Sequence, residues 1–174
     1  MNLTIDELLG HTDEERAKWE NWFSDHGSDP LGFALPGPTH PNVGALLLHI
    51  FWAELFYALW MKGEMLTEAR IATENSAIAA DKADSLFAFG HRARKAMREF
   101  TSTATSEDWE KVHEVEARGF RIEGPARKLI AHILVHEIRH FGQLAVVVHQ
   151  HGIAPPGDHD LLFSESFGKL ITRV

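Results

Sequence analysis

The fold-deciding stretch of this chain is residues 129–151, LIAHILVHEIRHFGQLAVVVHQH. Read at helical spacing, one side of it carries the row Leu129, Ile133, His136, His140, Leu144 and Val147. Two histidines therefore interrupt a face that should be core. A buried neutral imidazole needs partners for a donor and an acceptor, and each one left unpaired costs roughly 1–3 kcal/mol. These two histidines either hydrogen-bond carbonyls or a carboxylate, or both bind one metal ion. Side chains at positions i and i+4 of a helix lie close enough to share an ion, and the presence of two such histidines favours the metal.

A third histidine interrupts another apolar helix. The pattern predicts this helix over residues 42–61, capped by Thr39 or His40 and ended by Gly63. Its inner stripe reads Leu46, His49, Ala53, Phe56 and Trp60. A three-histidine site inside a bundle needs a ligand from a second helix, and His49 supplies it. Glu54 lies roughly 140° around the helix from His49, so we assign it to a salt bridge or to orienting a ligand.

Composition limits the chemistry. The chain has 174 residues, which suits one domain over residues 1–174. It has no cysteine, so disulfides, thiolate zinc sites and cysteine nucleophiles are excluded. A metal must then be held by histidine, carboxylate and water, which points to zinc, nickel, iron, manganese or copper.

Charge and hydropathy limit the partners and the location. The net charge of -8 opposes binding to nucleic acid. The first residues, MNLTIDELLG, have an acidic side chain where a signal peptide is positive, so we expect a cytoplasmic protein. Residues 43–61 are apolar enough for a membrane span, but His49 and Glu54 interrupt them, which favours a buried helix and no membrane.

The remaining signals predict two more long helices and a crossover. A first helix is expected over residues 13–26 behind the cap Thr12, and a third behind the cap Ser85. The third has an apolar inner stripe and a basic outer face that we interpret as solvated, comprising His91, Arg92, Arg94, Lys95 and Arg98. Residues 64–80 are predicted to form a loop, and residues 109–122 are predicted to form an extended crossover. The fold class is all-α, a four-helix bundle with a long crossover before the last helix.

The last helix is expected to begin at Gly124 and Pro125 and to end at Gly152. It has a second apolar side, formed by Ile130, Leu134, Ile138, Phe141, Ala145 and Val148. Two apolar sides require two packing partners. The second partner is either another helix of this chain or a second copy, and we expect a homodimer.

His136, Glu137 and His140 also spell HExxH, in which two histidines bind zinc and the glutamate is the general base of a metallopeptidase. The extended metzincin pattern needs glycine at 143 and histidine at 146, where Gln143 and Val146 stand. A peptidase also needs a sheet edge to hold an extended substrate, and the sequence shows no convincing set of strands. Metallopeptidase is therefore the alternative function, with Glu137 as its candidate catalytic residue.

The order of motifs resembles the DinB-like family of damage-inducible metal-binding proteins. The early helix reads LLLHIFWAELFYALWMKG, and the late part, HILVHEIRHFGQLAVVVHQHGIAPP, has HxxxH, then Gly-Gln, then a closing glycine. The resemblance implies a helical bundle with His49, His136 and His140 as metal ligands and open positions for water or substrate. His132 is not one of the family's three positions, and we assign it to the surface or to a contact behind the ligands.

Three neutral imidazoles leave the charge of a divalent ion on the metal, which activates a bound oxygen or thiol. We expect zinc or nickel first, then iron or manganese. Two reactions follow: hydrolysis of a small-molecule substrate, or transfer or isomerisation with a low-molecular-weight thiol, as in relatives of this family. A non-enzymatic alternative is a metal that only braces an interaction module.

Overall fold

The computed structural model describes residues 3–37, 39–64, 66–117, 120–157 and 159–168. The helices are α1 Ile5–His26, α2 Val43–Met61, α3 Glu68–Ser76, α4 Ala83–Thr103, α5 Ser106–Glu110 and α6 Ala126–Gln150. The strands are β1 Val112–Ala117 and β2 Phe120–Pro125, which pair antiparallel. Short 3₁₀ helices cover Asp29–Gly32, Leu161–Phe163 and Glu165–Phe167. The described chain is therefore mostly helical.

The first helix is longer than predicted, because its cap is Thr4 and not Thr12. The Thr4 side chain accepts from the Glu7 amide while the Glu7 carboxylate accepts from the Thr4 amide, which satisfies two amides at the helix start. Thr12 is buried inside the helix, where its hydroxyl donates to the carbonyls of Leu8 and Leu9. The acidic residues at positions 13–15 resemble the first turn of a helix, and this resemblance led to the wrong predicted start.

The second helix runs as predicted, although its cap is Asn42, whose side chain accepts from the Ala45 amide. Thr39 and His40 lie in the preceding loop. This helix is long and apolar enough to span a membrane, but 61% of its most apolar window is buried inside the protein. That burial supports the interpretation of residues 43–61 as a core helix.

The middle of the chain is more regular than predicted. Residues 68–76 form α3, which has no buried residue and so no apolar period to reveal it. The third long helix begins at Ala83, while the Ser85 hydroxyl accepts from the Ala79 amide. The predicted crossover contains the short helix α5 followed by the β1–β2 hairpin. The assignment of Arg94 to a solvated face is wrong, because this side chain is buried.

The four long helices α1, α2, α4 and α6 contact one another around a common core. Helix α2 packs on α4 and α6, and α1 packs on α6 and α4. The second apolar side of α6 is buried within the chain, as Ile130, Leu134 and Phe141 show. Phe141 stacks on Trp19 of α1. The second packing partner is therefore a helix of the same chain, and a dimer has to use another surface.

The C-terminal segment folds back on α1. His159 stacks on Trp19 and hydrogen-bonds Glu15, and the amide and hydroxyl of Ser166 donate to Glu14. Two 3₁₀ turns, Leu161–Phe163 and Glu165–Phe167, give this segment its local structure. Trp19 thus contacts both His159 of this segment and Phe141 of α6.

The contact between α2 and α4 depends on a glycine. An added Cβ at Gly90 would lie 2.9 Å from two ring atoms of Phe51, a fully buried side chain. We expect Gly90→Ala to lower the free energy of unfolding by about 1–3 kcal/mol, because overpacking outweighs alanine's better helix propensity. Urea denaturation measures this change.

Gly142 provides the matched control, since it also lies inside a long helix but has no atom within 4 Å of its added Cβ. Gly142→Ala should raise the free energy of unfolding by up to about 1 kcal/mol through helix propensity alone. Changes of the same sign in the two variants would contradict the packing argument.

Candidate metal centre

Three histidines meet between α2 and α6. The Nε2 atom of His136 lies 3.0 Å from Nε2 of His49 and 3.0 Å from Nε2 of His140. One nitrogen from each ring falls within 4.8 Å of the other two. His136 and His140 stand one turn apart on α6, and His49 faces them from α2, which packs on α6. The structure thus brings together the three residues that the sequence singled out.

Hydrogen bonding alone does not satisfy this cluster. His140 Nδ1 lies 2.6 Å from Gln143 Oε1, an oxygen that only accepts, so Nδ1 carries the proton and Nε2 has the lone pair. His136 Nε2 has one proton or one lone pair, yet it faces two ring nitrogens. At most one of its two contacts is a hydrogen bond. A metal ion, by contrast, accepts a lone pair from each ring.

The separations also fit a metal. Zinc binds imidazole nitrogen at about 2.0–2.1 Å, so two ligands of a tetrahedral site lie roughly 3.3 Å apart. The two 3.0 Å separations are close to that value. The Gln143 contact behind His140 fixes the ring orientation and its tautomer, as contacts to the far nitrogen of metal-bound histidines do. Among the described residues, His136 Nδ1 is buried without a hydrogen-bond partner.

The protonation state suits metal binding. Burial, followed by the neighbouring His140 and His49, lowers the pKa of His136 to about 3. Burial also lowers the pKa of His140, although the Gln143 contact opposes the shift. Both rings are therefore neutral at pH 7, the form in which histidine coordinates a metal.

The three nitrogens face a pocket of about 330 Å³. Its walls are the loop before α2, through Leu35, Pro36, Gly37, Thr39 and His40, and α6, through Arg139 and Gln143. The His40 ring packs 4.4 Å from the His49 ring, centroid to centroid, and is half-buried. The candidate site is thus open on one side, the arrangement of catalytic rather than structural metal sites.

His40 and Arg139 were not identified as site residues from the sequence. His40 lies in a proline-rich loop, where no periodicity indicates which way a side chain points. Arg139 directly precedes His140 and is not part of the predicted apolar row of this helix. Its position therefore indicates an exposed residue. Gln143, which the sequence marked as a departure from the metzincin pattern, lies one turn beyond His140 and contacts its ring.

His132 does not join the cluster. It is exposed, and its ring centroid lies 6.0 Å from that of His136. Its place on the surface of α6 agrees with the assignment made from the sequence. His159 lies against α1 instead.

Behind the histidines, a buried cluster of four charges crosses the core, with one residue from each long helix: Arg16, Glu54, Arg94 and Glu137. Arg16 Nη2 donates to Glu54 Oε2 and to Glu137 Oε1, both at 2.8 Å. Arg94 donates to Glu54 through Nε and to Glu137 through Nη2, the latter at 2.7 Å. Each carboxylate therefore binds both guanidinium groups. We call these four residues the charge cluster.

The charge cluster decides the role of Glu137. Its side chain is 3% exposed, and its two oxygens accept from Arg16 and Arg94. A carboxylate held by two arginines is not available as a base at the histidine cluster. The metallopeptidase alternative loses its catalytic residue, and the described sheet is only the β1–β2 hairpin.

Comparison with known proteins agrees with this geometry. The model of the DinB family matches residues 1–169. The chain belongs to the DinB family. The crystal structure of a DinB-like protein from Bacillus subtilis is similar, with a TM-score of 0.55 and 18% identity over 88% of this chain and 96% of that one. At this identity the likeness shows the DinB-like fold. No curated protein matches the sequence.

Family membership agrees with the three-histidine pattern seen in the sequence. The group formed by His49, His136 and His140 can hold a metal ion. The charge cluster and the position of His40 beside the histidines depend on the tertiary structure.

Proposed function

We propose that this DinB-family protein binds a divalent transition metal through His49, His136 and His140, and that it acts as a metal-dependent enzyme on a small molecule. The observation that carries the proposal is the convergence of three ring nitrogens, one from each histidine, on one open pocket. The metal we expect is zinc or nickel, then iron or manganese. The four long helices would form the four-helix bundle of the family, with α5 and the hairpin as its crossover.

The residues of the site have different roles in this proposal. The three imidazoles hold the ion, Gln143 orients His140 from behind, and His40 packs against His49 at the pocket entrance. A divalent ion held by neutral ligands supplies Lewis-acid activation of a thiol or of water. Without cysteine in the chain, a thiol has to come from a low-molecular-weight cosubstrate. We therefore propose a thiol-dependent transferase or isomerase, or a hydrolase.

The open pocket favours this proposal over a metal that only braces the helices. Structural metal sites have four protein ligands and no open position. Here the group comprises three side chains in the described part of the chain. Homodimerisation and a cytoplasmic location remain predictions from the sequence.

Elemental analysis tests the metal site directly. Protein purified without an affinity tag is expected to contain about one equivalent of a transition metal, and His49→Ala to lose it, because two imidazoles bind far more weakly than three. His149→Ala is the control, since His149 is exposed near the end of α6. Native protein without metal, even after reconstitution with zinc or nickel, would contradict the proposal.

A further inference from the structure

The pocket at the histidines continues into a groove along α6. This groove has a volume of about 370 Å³ and shares Leu35, Pro36, Arg139 and Gln143 with the pocket. Four shared lining residues make the two spaces one cleft. The cleft leads from the three ring nitrogens along the outer surface of α6, beneath the loop that precedes α2.

The groove is mostly apolar beyond the shared residues. Val146 lines it and is 57% exposed, so a large apolar side chain stands in solvent there. Gly142 also lines it, and a Cβ at that position would meet no atom within 4 Å. A glycine inside a helix costs about 1 kcal/mol relative to alanine, and here its bare backbone widens the groove. An apolar groove beside a polar site suits a ligand with an apolar part.

The charge of the cleft is positive. Neither the pocket nor the groove is lined by Asp or Glu in the described residues, and their charged lining residue is Arg139. Every other arginine that the structure describes forms an ion pair with a carboxylate, in the set Arg16, Arg70, Arg92, Arg94, Arg98, Arg121 and Arg127. On a chain with a net charge of -8, an arginine without a carboxylate at the mouth of a site indicates an anionic ligand.

We propose that the substrate is a small amphipathic anion, with its charged head between the histidine cluster and Arg139 and its apolar tail along Gly142 and Val146. The head would be a carboxylate or a thiolate, and the tail a short alkyl or aryl group. This inference rests on the proposed metal site, because the ion would add to the positive charge that receives the head.

Binding of a homologous series tests the tail. Zinc-loaded protein is titrated with acetate, butanoate, hexanoate and octanoate, and binding is followed by ligand-observed NMR. We expect the affinity to rise about twofold to fourfold for each methylene group that enters the groove. Pentylammonium, which has the pentyl tail of hexanoate and the opposite charge, should bind at least about tenfold more weakly than hexanoate. An affinity independent of chain length would overturn the proposal.

Substitutions on α6 locate the two contacts. Val146→Gln should remove most of the chain-length dependence and leave acetate binding within about twofold. Val135→Gln is the matched control, because Val135 is 54% exposed on the same helix and lines neither space. Arg139→Gln should weaken all four carboxylates by about tenfold and preserve the chain-length dependence. Equal effects of the two valine substitutions would overturn the placement of the tail.

Zinc content, measured on the same samples, separates this inference from the proposed function. Protein that retains no zinc contradicts the metal site. Protein that retains zinc and binds all carboxylates equally contradicts the amphipathic ligand alone. The three variants change residues outside the group of ring nitrogens, so each should contain the same amount of zinc as the native protein.

Discussion

Replacing Glu54 with glutamine is expected to lower the free energy of unfolding by about 3–5 kcal/mol, because it leaves two buried guanidinium groups sharing one buried carboxylate, that of Glu137. The carboxylate of Asp13, which also pairs with Arg94, is 33% exposed. The Glu54 side chain is 2% exposed and binds both Arg16 and Arg94. Burial alone would raise the pKa of Glu54, but the two arginines hold it below its ordinary value. Urea denaturation at neutral pH measures the loss.

A surface ion pair and a double variant serve as controls. Glu110→Gln removes the partner of Arg127, where both side chains are more than half exposed, and should leave the denaturation curve unchanged within error. The double variant Glu54→Gln/Arg94→Gln removes one charge of each sign and should lose less stability than the two single variants added together. Additive losses, or equal losses at Glu54 and Glu110, would show that the charge cluster does not act as a unit.

Zinc is expected to raise the melting temperature of the native protein by roughly 8–16 °C. At a free zinc concentration a thousandfold above the dissociation constant, binding to the folded state alone contributes about 4 kcal/mol, and each kcal/mol corresponds to roughly 2–4 °C in a domain of this size. His136→Ala should lose most of this shift, since His136 Nε2 is the nitrogen that contacts both others. Thermal unfolding followed by circular dichroism gives both values.

Two other histidines test whether the effect is local. His132→Ala and His159→Ala should keep the full zinc shift, because neither ring belongs to the group of three. His159→Ala also removes a contact between the C-terminal segment and α1, so its melting temperature without zinc should fall. The chain has twelve histidines. An undiminished shift in His136→Ala would therefore mean that zinc binds elsewhere.

Much of the candidate site was predictable because its signals are local. His136 and His140 stand four residues apart in a helix, so one periodicity places both on the same side. His49 was identified because it interrupts the apolar stripe predicted for α2, although in the structure the most buried side of this helix carries Ile50, Glu54 and Ala58 instead. Helical spacing indicates the side of the helix on which each histidine lies, even when the neighbouring helices are unknown. Their meeting at 3.0 Å then required only that α2 pack on α6.

The errors at helix starts have a similar physical origin. Residues 12–15 carry the signals of a cap and an acidic first turn, yet they lie inside α1, because Thr4 and Glu7 form a capping box two turns earlier. Several stretches can present start signals, and hydrogen bonding decides among them. Helix α3 was missed because none of its residues is buried, so no apolar period marks it.

Alone, the sequence determined the helical class, the family resemblance and the three histidines, because each depends on residue type and short spacing. Only the tertiary structure decided what Arg94 and Glu137 do. Arg94 reads as one of several surface cations, and Glu137 reads as the base of HExxH, yet both are buried in the charge cluster. Helical periodicity predicts the side of the helix on which a charged residue lies. Its partners belong to other helices, and no local spacing encodes how those helices pack.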